Sequence, residues 1–443
     1  MTDFSEPLVD RPDDAVLFHR GVRPVRAVEF LVDVHALAGA LPDAGWVVNL
    51  CRDRYAFAVT FAAAVLRRQV SLLTGDQSVA GLAQLAAQYP GAYVAVDEPL
   101  DGPMPVFSVG SRHQHVPRPR NPDRIPVAQL AAIVFTSGST GAPVAHPKLW
   151  GALVDRSRAA GEQFGFDAAA PSAIIGTVPP RHMYGFELTV LLPLHAAAGS
   201  WCGPAFFPGD IHAALRATPE PRVLVTTPLQ VRALLHADGG LPVIAVAISA
   251  TAPLDLALAA AAEARWHAPM LEIFGATEVG SIASRRTVEG DAWTTYPRVV
   301  IEAGDDAIVS APHAGPTALA DRIEALDGRR FRLLGRRTDL VKLGGRRASL
   351  SGLNRILTAL DGVADGAFVV PEDLEHRSSA RLTAVVVAPR RTPGSILAEL
   401  RGQVDPLFLP RRVICVDRLP RNELGKLPRQ ALLALVAQHD PAA

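Results

Sequence analysis

The sequence is poor in cysteine: Cys51, Cys202 and Cys415 are the only three in 443 residues. An odd number, widely spaced, builds neither a disulfide framework nor a thiolate metal cluster, and it fits a reducing, cytoplasmic setting. An excess of either charge is missing too. Lys+Arg and Asp+Glu both number 44, for a formal net charge of zero. That balance argues against a strongly basic nucleic-acid binder and against an acidic tail protein. Long apolar runs are also lacking, although the mean hydropathy is +0.19. The most apolar stretch, Leu241 to Ala262, contains Ser249 and Thr251 and is broken by Pro253 and Asp255. Nothing reaches the roughly 18 uninterrupted apolar residues of a membrane span. The opening Met-Thr-Asp-Phe-Ser-Glu has no basic start leading into an apolar run, so no secretory leader is expected. No repeat of fixed period is present.

What is there suffices for a large core: 49% of residues are apolar and 20% charged. The length exceeds one ordinary domain, so two or three are expected. Short β-type runs alternate with helical ones. Trp46–Leu50, Val70–Leu73, Tyr93–Val96, Ile133–Phe135, Ile174–Ile175, Val223–Val225, Val243–Val246 and Leu271–Phe274 read as strands. Helices are expected over 54–68, with Asp53 as N-cap, and over 79–88. Such alternation predicts an α/β fold of βαβ units, with largely parallel sheets and helices on both faces. Pro103 to Pro126 is a polar connection. Between Arg329 and Arg347 stand eight Lys/Arg and one acid, Asp339. That segment reads as a boundary between a large domain, 1–338, and a small α+β domain, 339–443.

One segment carries chemistry by itself. The apolar run Ala131–Phe135 leads into Thr136-Ser137-Gly138-Ser139-Thr140-Gly141. Glycines let backbone N–H groups converge on an anion and the hydroxyls add donors, so the segment reads as a phosphate-cradling loop. The Gly-Lys-Ser/Thr ending of a P-loop is absent, since Ala142 and Pro143 follow Gly141. Taken alone, a plain Ser/Thr-rich turn reads equally well.

Phe135–Pro143 resembles the signature loop of the adenylate-forming (ANL) superfamily, and further segments resemble its motifs in the same order. Ser249-Ala-Thr251-Ala-Pro-Leu254 is similar to its small-residue turn before the nucleotide site. Phe274-Gly275-Ala-Thr277-Glu278 resembles its aromatic-Gly-x-Thr-Glu motif, and Gly335-Arg336-Arg-Thr-Asp339 its hinge motif. Leu419-Pro-Arg-Asn-Glu-Leu-Gly-Lys426-Leu-Pro-Arg429 resembles its C-terminal lysine motif. The resemblance covers about residues 130 to 432.

It implies an ATP-dependent ligase. A carboxylic acid becomes acyl-AMP with release of pyrophosphate, and a thiol, of CoA or of a carrier-protein phosphopantetheine, then displaces AMP. The resemblance assigns Thr136 to Gly141 to the β- and γ-phosphates, Thr277 to the α-phosphate and Glu278 to Mg²⁺. It assigns Phe274 and Gly275 to the adenine face, with Thr251 nearby, Asp321 to the ribose hydroxyls, and Arg336 to the ribose or phosphate. Lys426 would be the catalytic cation, Asp339 the pivot of a mobile C-terminal domain, and His182 would sit near the incoming carboxylate. Tyr184, Gly185, Glu187 and Ala250 would line the acyl pocket, with Trp201, Phe206 and Phe207 making it apolar. An aryl or medium acyl acid fits such a slot.

Departures exist. Val144 stands where the family loop carries lysine, and Lys148 comes four residues too late for that role. The residues before Asp321 lack the family's usual glycine, Thr338 replaces a frequent acid beside the pivot, and Ser349 a frequent Glu. Two rival readings remain. Glu187 falls near where amino-acid-activating members place an acid for the substrate ammonium, although a salt-bridged helix acid is the plainer reading. A non-catalytic nucleotide or nucleic-acid binder on the same fold would leave Lys426 without a use, and the neutral net charge counts against nucleic acid.

Overall fold

The helix Arg54–Leu66 shows how the first part of the chain is organised. Asp53 caps it, its carboxylate accepting from the Ala56 N–H at 2.8 Å, an interaction worth about 1 kcal/mol. Tyr55 and every residue from Phe57 to Val65 are buried, so the helix is apolar all round and lies inside the core. Phe61 meets Phe186 edge-on at 4.9 Å. The computed structural model describes residues 4–110, 122–137, 143–304, 306–336, 340–343, 346–371, 381–422, 425 and 427–439.

The chain forms two compact units. The first comprises 1–301, 309–317 and 328–330, the second 302–308, 318–327 and 331–443. Against an expected division after residue 338, the second unit thus also takes up 302–308, 318–327 and 331–338. The hairpin Asp321–Ala325/Arg330–Arg336, all but Arg330 in the second unit, pairs Asp321 with Arg336 and Ala325 with Phe331.

Two large sheets dominate the first unit. One has the order Pro143–Leu149, Leu130–Ser137, Val70–Leu73, Trp46–Asn49, Tyr93–Val96, Val106–Ser108. All its neighbours run parallel except the first pair. In the other, Met270–Ala276, Val246–Ser249, Arg222–Thr226, Ser172–Gly176, Ala198–Trp201 and Val16–Arg20 are parallel. Antiparallel strands flank them: Gly280–Arg286 and then Trp293–Thr295 at one side, Arg23–Arg26 at the other. Helices join most of the parallel strands; Tyr93–Val96 and Val106–Ser108 are linked without one. The expected strand Val243–Val246 is instead Val246–Ser249, with Val246 opposite Val223 and Ser249 opposite Thr226. An unbroken apolar run offers no frame, and the neighbouring strand sets it.

In the second unit, Asp365–Val369, Thr383–Val387 and Arg412–Cys415 form a sheet. Leu350–Thr358 and Pro393–Leu400 bury Leu353, Leu357, Ile396 and Leu400 in one apolar cluster with Phe368 and Val386. Among the described residues no helix is long and apolar enough to cross a membrane.

Candidate active site

Ser137 and Pro143 are register partners at the ends of two antiparallel strands. Gly138, Ser139, Thr140 and Gly141 lie between them, outside the described residues; of Thr136 and Ser137 the backbone strand alone is described. Val144 and Lys148, four apart on the second strand, share one of its faces. Val144 is half-exposed while Lys148 is buried.

The aromatic-Gly-x-Thr-Glu segment forms the end of Met270–Ala276 and the turn into Gly280–Arg286. Phe274 is partly buried and packs on Trp293 at 5.6 Å. Gly275 lies where the two strands meet most closely: a Cβ there would stand 2.2 Å from the Gly280 carbonyl oxygen. Gly275→Ala is therefore expected to destabilise the first unit by about 1–3 kcal/mol through backbone displacement, read as a lower denaturant midpoint. Thr277 is partly exposed and the Glu278 side chain is exposed.

Beneath this turn lies a buried charged cluster. Lys148 Nζ donates to the Thr277 carbonyl at 2.5 Å and to the Glu278 carbonyl at 2.8 Å. Arg156, on the helix Trp150–Gln163, donates to the carbonyls of Val279 at 2.6 Å and Ser281 at 3.2 Å. Its Nε lies 2.6 Å from Glu187 Oε1, with both side chains at most 5% exposed. Glu187 also accepts from Ser281 Oγ at 2.6 Å. Gly280, at φ +79°, makes room for this, since a Cβ there would collide with the Arg156 guanidinium. Burial raises the Glu187 carboxyl, and Arg156, Ser281 and Lys148 work against that rise. Burial, then the nearby Arg156, lowers the Lys148 ammonium to about 8. His313, also buried, is pushed down to about 3 by burial and by Arg156 and Lys148, so it stays neutral.

The expected acyl-side residues are placed as follows. His182 precedes the short helix Met183–Phe186, and a Cβ on Gly75 would come within 3.2 Å of its Cε1. The Tyr184 hydroxyl donates to the Ile248 carbonyl at 2.8 Å, which ties this helix to the strand leading to Thr251. Gly185 has no space for a side chain, with the Pro179 carbonyl oxygen 2.2 Å from a Cβ position. Ala250 is buried, and Thr251 follows it at φ +80°, a backbone state that a β-branched residue adopts only when its surroundings impose it. The same turn is held three residues on, where the Leu254 N–H donates to buried Glu272 at 2.8 Å. Trp201 is partly buried, but Phe206 and Phe207 are exposed at 38% and 66%. Glu187 points into the charged cluster.

Asp321 and Arg336, 15 apart in sequence, stand opposite each other across the hairpin of the second unit. Lys426 and Asp339 lie outside the described residues. The backbone just before the lysine is anchored: Arg421 donates to both oxygens of Asp365, at 2.6 and 2.7 Å, and to the Gly425 carbonyl at 2.7 Å. Sequence reasoning set Lys148 aside as four residues too late for the loop and did not single out Arg156, Ser281, Asp365 or Arg421. Arg156 and Arg158 look alike in the sequence, yet one is buried and the other half-exposed. A usable sign was the glycine at 280, because glycine in a strand marks close approach of another group.

Among the described residues no group of three His, Cys, Asp or Glu gathers as a metal cage. One exposed carboxylate, Glu278, is nonetheless the donor set that magnesium uses beside a nucleotide, the other ligands being phosphate oxygens and water.

Comparison with known proteins agrees in one direction. The profile of the family described as AMP-binding enzyme matches residues 36–327. The 4-coumarate–CoA ligase of Rhodobacter capsulatus is 31% identical over 286 residues, which span 63% of this chain and 69% of that one. ATP-bound MatB from Rhodopseudomonas palustris has a TM-score of 0.81 at 20% identity, covering 98% of each chain. O-succinylbenzoate coenzyme A synthetase from Bacillus subtilis, in complex with ATP and magnesium ion, has a TM-score of 0.82 at 15% identity, covering 96% of this chain and 99% of that one. At these identities the two structures speak for the fold.

Proposed function

The chain belongs to the family of AMP-binding enzymes, and from that premise we propose that it activates an amine-free aryl or medium acyl acid for transfer to CoA. Its reaction class is that of an ATP-dependent acid–thiol ligase. A carboxylate oxygen attacks the α-phosphorus, the bond to pyrophosphate breaks, and the acyl-AMP then gives its acyl group to a thiol while AMP leaves. Two anions must meet in the first half, so the site needs donors and cations aimed at the developing charge.

In this reading Thr136 to Gly141 cradle the β- and γ-phosphates and Thr277 donates to the α-phosphate. Glu278 holds the magnesium ion, which, when bound, neutralises phosphate charge. Phe274 packs on the adenine, Asp321 and Arg336 take the ribose hydroxyls, and His182 faces the incoming carboxylate. Lys426 supplies the catalytic charge. Asp339 is the pivot that swings the small domain between the two half-reactions.

The choice of acid rests on one observation: Glu187 is already engaged, by Arg156 at 2.6 Å and by Ser281 at 2.6 Å. Its charge is already balanced by a buried guanidinium, so it is not left over to pair with a substrate ammonium. The 4-coumarate ligase relative, which acts on an aryl acid, agrees with this. CoA is the favoured acceptor for the same reason, and a carrier-protein phosphopantetheine, with the same thiol arm, is the second reading. A pyrophosphate-release screen over benzoates, cinnamates, acyl acids and amino acids checks the proposal. Turnover is expected with aryl or medium acyl acids; turnover confined to amino acids would overturn it.

A further inference from the structure

We propose that Lys148 is a positioning residue for adenylation, the rigid anchor that sets Thr277 and Glu278 toward the nucleotide. Val144 leaves the phosphate loop without its lysine, and the nearest cation on the same face of that strand is Lys148. Its ammonium is not available to a phosphate. Two of its three hydrogens go to the Thr277 and Glu278 carbonyls, at 2.5 and 2.8 Å, and the side chain is buried. Those carbonyls belong to the two residues assigned to the α-phosphate and to magnesium, so the inference rests on that assignment.

The contact does more than fill space. A turn between two strands is free to pivot about its ends, and side chains on it inherit that freedom. Here the pivot is blocked from below. Lys148 holds the first half of the turn through Thr277 and Glu278, and Arg156 holds the second half through Val279 and Ser281. Glu187 lies 2.6 Å from Arg156 and offsets one of the two positive charges. Four of the five backbone positions from 277 to 281 are thereby held, while the Thr277 and Glu278 side chains remain accessible. A site that must place donors within a fraction of an ångström gains rate from such support.

The test uses Lys148→Met, which keeps the length and loses the donors, and Lys148→Gln, which can donate to one carbonyl. Amide hydrogen exchange of residues 276–281 is followed in the ligand-free full-length protein, where no functional assignment enters. ATP–pyrophosphate exchange is then measured with an acid that the wild type accepts. Lys148→Met is expected to lose protection in 276–281 alone, by about tenfold or more. Its kcat is expected to fall about 10- to 100-fold, with KM for the acid unchanged, and Lys148→Gln should recover part of both losses. Unchanged protection in Lys148→Met overturns the anchor. A loss of protection spread equally through the first unit, with no recovery in Lys148→Gln, overturns it too, since the role would then be general packing. Local loss of protection with unchanged kcat overturns the catalytic part, and does so through the assignment of Thr277 and Glu278. Should Lys148→Met fail to fold, the comparison of Lys148→Gln with wild type decides by the same two readouts.

Discussion

Lys426→Ala is expected to lower the rate of acyl-AMP formation by roughly 10²–10³-fold, the usual cost of one preorganised charge donor. The chemistry of the first half-reaction is electrostatic, and a lysine that enters as charge builds acts on the transition state more than on either ground state. The KM values for ATP and acid should therefore change less than kcat. Nearby in the sequence, Arg421 clamps Asp365 with two bonds and the Gly425 carbonyl with a third. In the proposed mechanism the thiol step does not use this ammonium. Lys426→Ala supplied with synthetic acyl-AMP is expected to form thioester at close to the wild-type rate. Pyrophosphate exchange and acyl transfer, measured separately, check both halves; unchanged exchange would remove Lys426 from its role.

The second large effect concerns stability. Glu187→Ala should destabilise the first unit by about 3–5 kcal/mol, because it strands Arg156 as an unpaired buried cation. Both partners are at most 5% exposed, so solvent cannot screen the loss. Denaturant titration of Glu187→Ala against wild type measures it. Replacing both members, as Glu187→Leu with Arg156→Met, should return part of the stability by removing the unpaired charge, the rest being lost to the Val279 and Ser281 carbonyls left without a donor. The double variant is nevertheless expected to lose activity. Arg156 also holds the Val279 and Ser281 carbonyls, and an apolar side chain holds neither. A Glu187→Ala protein of wild-type stability, with amine-bearing substrates selectively lost, would reverse the reading and make Glu187 a substrate group.

Local features were legible before any fold was known. The helix over 79–88 is found at those residues, and Asp53 caps its helix as its side chain and position predict. Strands bounded by turn residues, such as Tyr93–Val96, are where the pattern puts them. The motifs, too, are contiguous strings: they need no partner to be read, and they identified the family. The strand at Val246–Ser249 is different. Its apolar run begins earlier, and its frame comes from Arg222–Thr226 beside it. The hairpin Val16–Arg20/Arg23–Arg26 was not foreseen either, because its strands are short and its second strand is mostly exposed.

Sequence by itself thus determined the reaction class and most of the candidate residues, because chemistry at a phosphate demands particular side chains at close spacing. Tertiary structure decided what those side chains lean on. Lys148 and Thr277 are 129 residues apart, and Arg156 and Val279 are 123 apart. No local pattern marks such pairs, since a lysine on a strand or an arginine on a helix looks solvated until the fold buries it. Burial then leaves each cation needing partners, and the carbonyls of the turn at 277–281 are what the fold brings within reach. The same requirement turns Glu187 inward to Arg156 and away from the role its position in the sequence suggested.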